Sequence, residues 1–321
     1  METIRMRKNN ISVVIPTFNG ETLLSMYLPP LIETLKNSPS INEYEIIVVD
    51  DASEDNTVGF LTKEYPFVII LKNEKNSGFS KTINKGIFAA KCNLVLLLNN
   101  DMVVASDFFE KTIPFFEKED TFGIFSQIRD TNGEKVIEGN KLPIFKHGKL
   151  HYQDDLNSAS GYSLYLCGGN TLIDREKIRE IEGFNELFSP FYFEDFDLSI
   201  VAWKKGWKCY YTDQTFCKHC HSITIKKHFT QEYVQHIFLR NKLLFNYLHS
   251  GKIDSLRLFM GIFCKMILSI LFPSKSKRTF RKSAQAFFCI YPQAHEKKRE
   301  RNKEQLISLK KICADYFNIS L

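Results

Sequence analysis

What this 321-residue chain lacks narrows its function before any motif is weighed. No glycine-rich turn follows the first apolar run, where bare backbone would have to cradle a dinucleotide pyrophosphate, and no Walker A sequence occurs. Those two common nucleotide sites are set aside. There is no internal repeat and no low-complexity tract. The eight cysteines lack the regular spacing of a disulfide scaffold, so the thiols are expected to be reduced and the compartment cytoplasmic. The Ile11–Pro16 run is too short for a signal h-region. Leu256–Phe272 is mostly apolar but carries Arg257 and Lys265, short of the ~20 apolar residues of a membrane span.

What is present is ordinary for a globular protein: 44% hydrophobic and 25% charged residues. Length favours one catalytic domain, 1–250, with an appended segment, 251–321, expected to be helical. Aromatics are high at 13%, mostly Phe. The net charge of +6 is uneven. Residues 273–311 hold twelve Lys/Arg against three Glu, so the rest of the chain is net negative.

The first half alternates short apolar runs with helix-like spacing, which points to an α/β layer fold. Strands are expected at Ile11–Ile15, Glu45–Val49, Phe67–Leu71 and Leu94–Leu98. Helices are expected over Gly20–Lys36, interrupted by Pro29-Pro30, and over Asp55–Tyr65, Lys81–Lys91 and Asp107–Lys118. Continuous rather than alternating apolar runs suit parallel strands covered on both faces. Residues 130–165 are polar and glycine-bearing, the pattern of loops or short antiparallel strands. Helices follow at Asp195–Lys205 and Gln231–His249.

Ligands of such sheets bind outside the carboxyl ends of the strands. Those ends hold Pro16-Thr17-Phe18-Asn19, Asp50-Asp51, Lys72-Asn73 and Asn99-Asn100-Asp101. A carboxylate at Asp50-Asp51 can accept from a base imide or a ribose hydroxyl, or simply cap the next helix. Asp101 suits a hard divalent cation completed by diphosphate oxygens and water, or a turn. Glu194, Asp195 and Asp197 stand among aromatics, where acids are costly unless paired, capping or functional. Asp195 is placed to open a helix whose dipole would hold it ionised. Capping explains one acid, not three. Cys217-Lys218-His219-Cys220-His221 has CxxC spacing but no second cluster at finger spacing, so a lone metal-ligand histidine or packing is favoured over zinc.

Several segments in order resemble the inverting family-2 glycosyltransferases of GT-A fold. They are SVVIPTFNG (12–20), IIVVDDASEDNT (46–57), NSGFSKTINKG (76–86), LVLLLNNDMVV (94–104), CGGNTLIDREKI (167–178), EGFNELFSPFYFEDFDLSIVAWKKGW (182–207), KHCHSIT (218–224) and FLRNKLLF (238–245). The resemblance covers roughly residues 11–245. It implies a mostly parallel central sheet with flanking helices and a C-terminal helical segment. By that likeness Phe18 stacks on the nucleobase, beside Pro16, Thr17 and Asn19. Asp50 and Asp51 hold base and ribose, and Asn84 and Asn100 belong with the donor site. Asp101 carries the metal role, with Asn99 replacing the first acid of the usual DxD motif, a variant of the rhamnosyltransferase-like branch. His219 fits the histidine that helps hold metal or diphosphate, with His221 as alternative. Asp195 resembles the general base with Glu194 beside it, and Gly168, Gly169 and Tyr192 line the acceptor side. Asn185 and Glu182 depart from the usual GGFDE segment.

The implied activity is transfer of a sugar from a UDP- or dTDP-sugar to an acceptor hydroxyl on a glycan or lipid-linked acceptor, with Mn²⁺ or Mg²⁺. The alternatives are a sugar-1-phosphate nucleotidyltransferase, whose glycine- and arginine-rich loop is missing, and a nucleotide-sugar-binding or scaffolding protein that has lost catalysis. The tail, 255–311, is expected to attach peripherally to an anionic membrane surface on its cytoplasmic face, against a competing reading of packing on the catalytic domain. No nucleic-acid partner is expected.

Overall fold

The computed structural model describes residues 9–146, 149–220, 229–303 and 306–319. Four parallel strands form its first half. β1 (Asn10–Thr17), β2 (Glu43–Asp50), β3 (Ile69–Lys72) and β4 (Leu94–Leu98) lie in the order β3-β2-β1-β4. Ile11, Val13 and Val14 of β1, Ile46–Val49 of β2 and all of β4 are buried, as strands covered on both faces must be. The covering helices are α1 (Glu21–Asn37), α2 (Thr57–Glu64) and α3 (Phe79–Ala89).

Past β4 the sheet turns mixed. After β5 (Met102–Val104) and α4 (Phe108–Thr112) come β6 (Thr121–Arg129) and β7 (Val136–Glu138), then the hairpin β8 (Asn140–Lys146) and β9 (Lys149–Asp155). β10 (Gly161–Tyr162), β11 (Asn170–Asp174), α5 (Arg175–Glu180), α6 (Glu194–Lys204) and β12 (Lys208–His219) complete the core. β11 runs antiparallel between β4 and β6, and β12 pairs parallel with β6 while its end pairs with β5. The short strands expected in 130–165 are these antiparallel pieces.

Two expectations about helices need correction. α1 runs unbroken through Pro29 and Pro30. Leu24, Leu28, Leu31 and Leu35 lie buried along one side of it, and that burial outweighs the lost backbone bonds. The helix expected over Asp107–Lys118 stops at Thr112 and tightens into a 3₁₀ turn, Ile113–Glu117, where Pro114 removes a donor.

Four C-terminal helices follow: α7 (Gln231–His249), α8 (Lys252–Leu271), α9 (Lys275–Arg301) and α10 (Leu309–Phe317). They share cores with the sheet side. Leu244, Phe245, Phe287 and Ala294 pack with Phe196 and Ile200 of α6, and Ile312 packs with Trp203. Asp197, fully buried in α6, is gripped by both guanidinium nitrogens of Arg301 at 2.8 and 2.7 Å and by His249 Nε2 at 2.7 Å. The Arg301 charge, with these hydrogen bonds, holds its carboxyl far below the usual range despite burial, while burial keeps the His249 imidazole neutral by pushing it down to about 3.

Candidate active site

The carboxyl ends of β1, β2 and β4 bring the expected polar residues together. Asn100 Nδ2 donates to Thr17 Oγ1 at 2.8 Å. Asn19, with φ of 51°, ties the β1 and β2 loops: its N–H donates to Ser53 Oγ and its Oδ1 accepts from the Glu54 N–H, both at 2.8 Å. Phe18 and Pro16 are half-buried beside it.

The two acids after β2 do different things. Asp50 accepts from the Ser53 N–H at 3.2 Å through Oδ2, while its Oδ1 is buried without a hydrogen-bond partner. A buried acceptor in that state is costly unless a ligand donor meets it, and a ribose hydroxyl is such a donor. Asp51 instead braces the loop ahead of α3. It accepts from Asn73 Nδ2 (2.8 Å), the Ser77 N–H (2.8 Å) and the Gly78 N–H (3.0 Å). Gly78 has φ of +80°, and a Cβ there would come within 3.0 Å of Pro190 Cα. Only glycine suits both the left-handed backbone and that approach.

Asp101 follows β4 and meets β12, whose end pairs with β5. Its Oδ2 lies 3.2 Å from His219 Nε2, and that hydrogen bond raises the imidazole pKa. One carboxylate oxygen and one imidazole nitrogen are donors that Mn²⁺ accepts. Among the described residues no set of three or more His, Cys, Asp or Glu forms a metal cage. The pair therefore fits a cation whose shell is completed by substrate oxygens and water. His221 lies outside the described residues.

A glycine pair joins this corner to the acids of α6. The Gly169 carbonyl accepts from the Asn99 N–H at 3.0 Å, and a Cβ on Gly169 would come within 2.7 Å of Asn99 Nδ2. A Cβ on Gly168 would sit 3.7 Å from Asp195 Cβ and 3.6 Å from the Phe79 ring. Asp195 is half-buried, with Oδ1 accepting from the Phe196 N–H at 2.8 Å. Burial pushes its carboxyl up to about 6. Burial, reinforced by the Asp195 charge, pushes Glu194 up to about 8, and Glu194 Oε2 has no partner. The helix dipole expected to favour the ionised form is outweighed by desolvation, which raises the Asp195 carboxyl but still leaves it ionised at neutral pH. Neighbouring carboxyls separated in this way divide at neutral pH into a protonated Glu194 and an ionised Asp195.

The turn carrying these acids is strained and clamped. Tyr192 and Phe193 both have left-handed φ, 77° and 73°, each costing ~1–3 kcal/mol. Asn241 of α7, fully buried, donates Nδ2 to the carbonyls of Phe188 (2.6 Å), Phe191 (2.9 Å) and Tyr192 (2.8 Å). Arg240 adds a bond to the Phe188 carbonyl at 3.3 Å. Sequence reasoning gave Arg240 and Asn241 no role, although FLRNKLLF contained them. It also missed Lys141, whose buried ammonium pairs with Glu138 (3.0 Å) and Asp154 (2.8 Å) and lowers the Asp195 pKa.

Asn84 is the residue the structure does not bring to the donor corner. Its Nδ2 donates to the Phe184 carbonyl at 2.9 Å and its Oδ1 accepts from the Phe184 N–H at 2.8 Å. It ties α3 to the segment before the active-site turn, because both ends of its amide are already matched there. The departures at 182 and 185 are accommodated. Glu182 adopts φ of 63° and pairs with Lys297 at 2.5 Å, and Asn185 caps a 3₁₀ turn by accepting from the Leu187 N–H. A groove of about 730 Å³ lined by Lys81, Asn84, Phe184, Glu186 and Lys297 lies beside these residues.

Comparison with known proteins identifies the family. A poly(ribitol-phosphate) β-glucosyltransferase of Bacillus spizizenii is 30% identical over 130 residues, 39% of this chain and 20% of the relative. The dolichyl-phosphate β-glucosyltransferase ALG5A of Trichomonas vaginalis is 32% identical over 133 residues, 40% of this chain and 39% of the relative. The match thus spans well under two thirds of either relative. Among solved structures, GalNAc-T7 with UDP, GalNAc and Mn²⁺ aligns over 97% of this chain and 57% of its own, with a TM-score of 0.67 at 16% identity. That likeness is one of fold, and the fold is GT-A. The family model described as Glycosyl transferase family 2 matches residues 12–182, more than half the chain and every strand end described above up to the glycine pair, so the chain belongs to glycosyl transferase family 2.

Proposed function

We propose that this chain is an inverting glycosyltransferase that moves a hexosyl or deoxyhexosyl group from a UDP- or dTDP-sugar to an acceptor hydroxyl, with Mn²⁺ or Mg²⁺. The observation that carries the reading is the glycine pair, with Asn99 of the Asn99-Asn100-Asp101 corner against Gly169 and Asp195 beside Gly168. A donor diphosphate at Asp101 would present its sugar to that base.

Phe18 is placed to stack on the base, Asp50 Oδ1 is placed to accept from a ribose hydroxyl, and Asp51 holds the loop that shapes this corner. Asp101 and His219 would hold the cation. When bound, a divalent cation neutralises the diphosphate and makes it a better leaving group. Asp195 accepts the proton of the acceptor hydroxyl as that oxygen attacks the anomeric carbon opposite the diphosphate. Configuration inverts in one displacement without a covalent sugar–enzyme intermediate. Glu194, held neutral, is no competing base, and Tyr192 lines the acceptor side.

The named relatives act on poly(ribitol-phosphate) and dolichyl-phosphate, which supports a glycan or lipid-linked acceptor here. A rhamnosyltransferase-like donor preference rests on Asn99-Asn100-Asp101 alone, and neither relative above is one. The test is a melting screen of UDP, dTDP and GDP with and without Mn²⁺. A cognate carrier at ~100 times its Kd stabilises by roughly 2.7 kcal/mol. If no nucleotide raises the Tm in either condition, the donor assignment fails.

A further inference from the structure

α8 buries one side and leaves the other without a protein partner among the described residues. Leu258, Ile262 and Ser269 are buried, and Phe259 and Met266 pack half-buried against the same core. On the opposite side Ile253, Leu256, Met260, Phe263, Ile270 and Leu271 are each between 59% and 69% exposed. Soluble monomers seldom leave so continuous an apolar face open. The helix has 20 residues, about 30 Å of length. No described helix is long and apolar enough to cross a membrane.

Charge identifies the occupant. Residues 252–282 contain eight Lys or Arg and a single acid, Asp254, which is itself paired with Arg257 at 3.2 Å. Lys277 Nζ lies 5.4 Å from the centroid of the Phe272 ring, at the end of the apolar stripe. A second copy of the chain would bring the same positive rim against this one. The apolar stripe is also wider than a coiled-coil seam, since Leu268 and Leu271 extend it beyond the three-and-four spacing of Ile253, Leu256, Met260 and Phe263. A broad apolar face flanked by cations is the pattern of a helix lying in a lipid interface.

We propose that α8 lies flat on an anionic phospholipid surface, its exposed apolar face in the headgroup–acyl boundary and the Lys/Arg of 252–282 against the headgroups. Nothing in that placement depends on the transferase chemistry. Its failure would leave the donor screen untouched, and failure of that screen would leave it untouched.

Flotation of the full-length chain tests it, with vesicles of phosphatidylcholine alone or mixed with phosphatidylglycerol, at low and high salt. The chain is expected to float with the mixed vesicles, and less at high salt. Met260→Glu with Phe263→Glu, both exposed positions, should lower the vesicle partition coefficient at least about tenfold with Tm unchanged. Lys275→Glu with Arg278→Glu, also exposed, should weaken binding to the mixed vesicles alone. A wild-type chain that never floats overturns the proposal, as does equal flotation by the Met260/Phe263 variant. A dimer in sedimentation that this variant dissolves, with no flotation of wild type, assigns the face to a second copy instead.

Discussion

Replacing Glu194 by Gln tests the division of labour between the paired acids, because an amide copies a neutral carboxyl and not a carboxylate. Glu194 keeps its proton to about pH 8 in the folded chain, against 4.5 ordinarily. Its folded pKa is raised, so its contribution to stability is fully present below pH 4.5 and is lost as pH rises through about 8. The amide introduced by Glu194→Gln titrates nowhere. The stability of Glu194→Gln relative to wild type should therefore climb by about 1.4 kcal/mol per pH unit above 4.5, to on the order of 3 kcal/mol at pH 7, and level off past about 8. Turnover should move little at pH 7, and the acid limb of the pH–rate profile should stay near 6, where Asp195 titrates. Asp195→Asn should lose ~10²–10⁴-fold in turnover with donor affinity kept. The assays are urea unfolding of both proteins from pH 5 to 9, and manganese-supported hydrolysis or transfer from UDP-sugars. A stability gap that stays flat across that range would refute a protonated Glu194. A Glu194→Gln enzyme as dead as Asp195→Asn would make Glu194 the chemical group.

Asn241→Leu removes a donor from three carbonyls, leaving Phe188 only its bond from Arg240. It should cut kcat by ~10–10²-fold through misplacement of Asp195, the proposed base, while donor Kd and metal response, read by calorimetry, stay near wild type. Asp101→Ala should remove stimulation by Mn²⁺ and leave the fold intact, so full activity in that variant, or in chelator, would end the metal assignment. Arg301→Met leaves Asp197 charged and buried, and should cost ~3–5 kcal/mol in urea unfolding. Changing Asp197 to Leu in the same chain should restore much of that loss.

Sequence made legible whatever local pattern encodes. The strand ends with Asp50 and Asp101 stand out because a continuous apolar run gives way to an acid at once or within three residues, and Glu194-Asp195 because acids sit among aromatics. Pro29-Pro30 misled, since a local rule meets a buried leucine stripe that overrides it. What stayed hidden depends on partners far along the chain. Asn241 reaches back 53 residues to Phe188 and Arg301 reaches back 104 to Asp197, and no periodicity announces such a meeting. The neutral state of Glu194 was hidden for the same reason, because burial is a property of the assembled fold.

The grip of Arg301 on Asp197 has a consequence for how the enzyme comes into being. Asp197 stands one helical turn from Glu194, and α6 is sealed on its other flank by Tyr316 and Phe317, whose ring centroids lie 5.1 and 5.5 Å from that of Trp203. During synthesis the parallel strands have all emerged before these last helices exist. The strand half can be shaped on the ribosome, whereas the helix bearing Glu194 and Asp195 gains its counter-charge and its aromatic cover only when the final residues arrive. On the proposed mechanism, a nascent or truncated chain ending near residue 250 would hold the proposed donor corner without a finished base, able to meet a nucleotide but not to transfer a sugar.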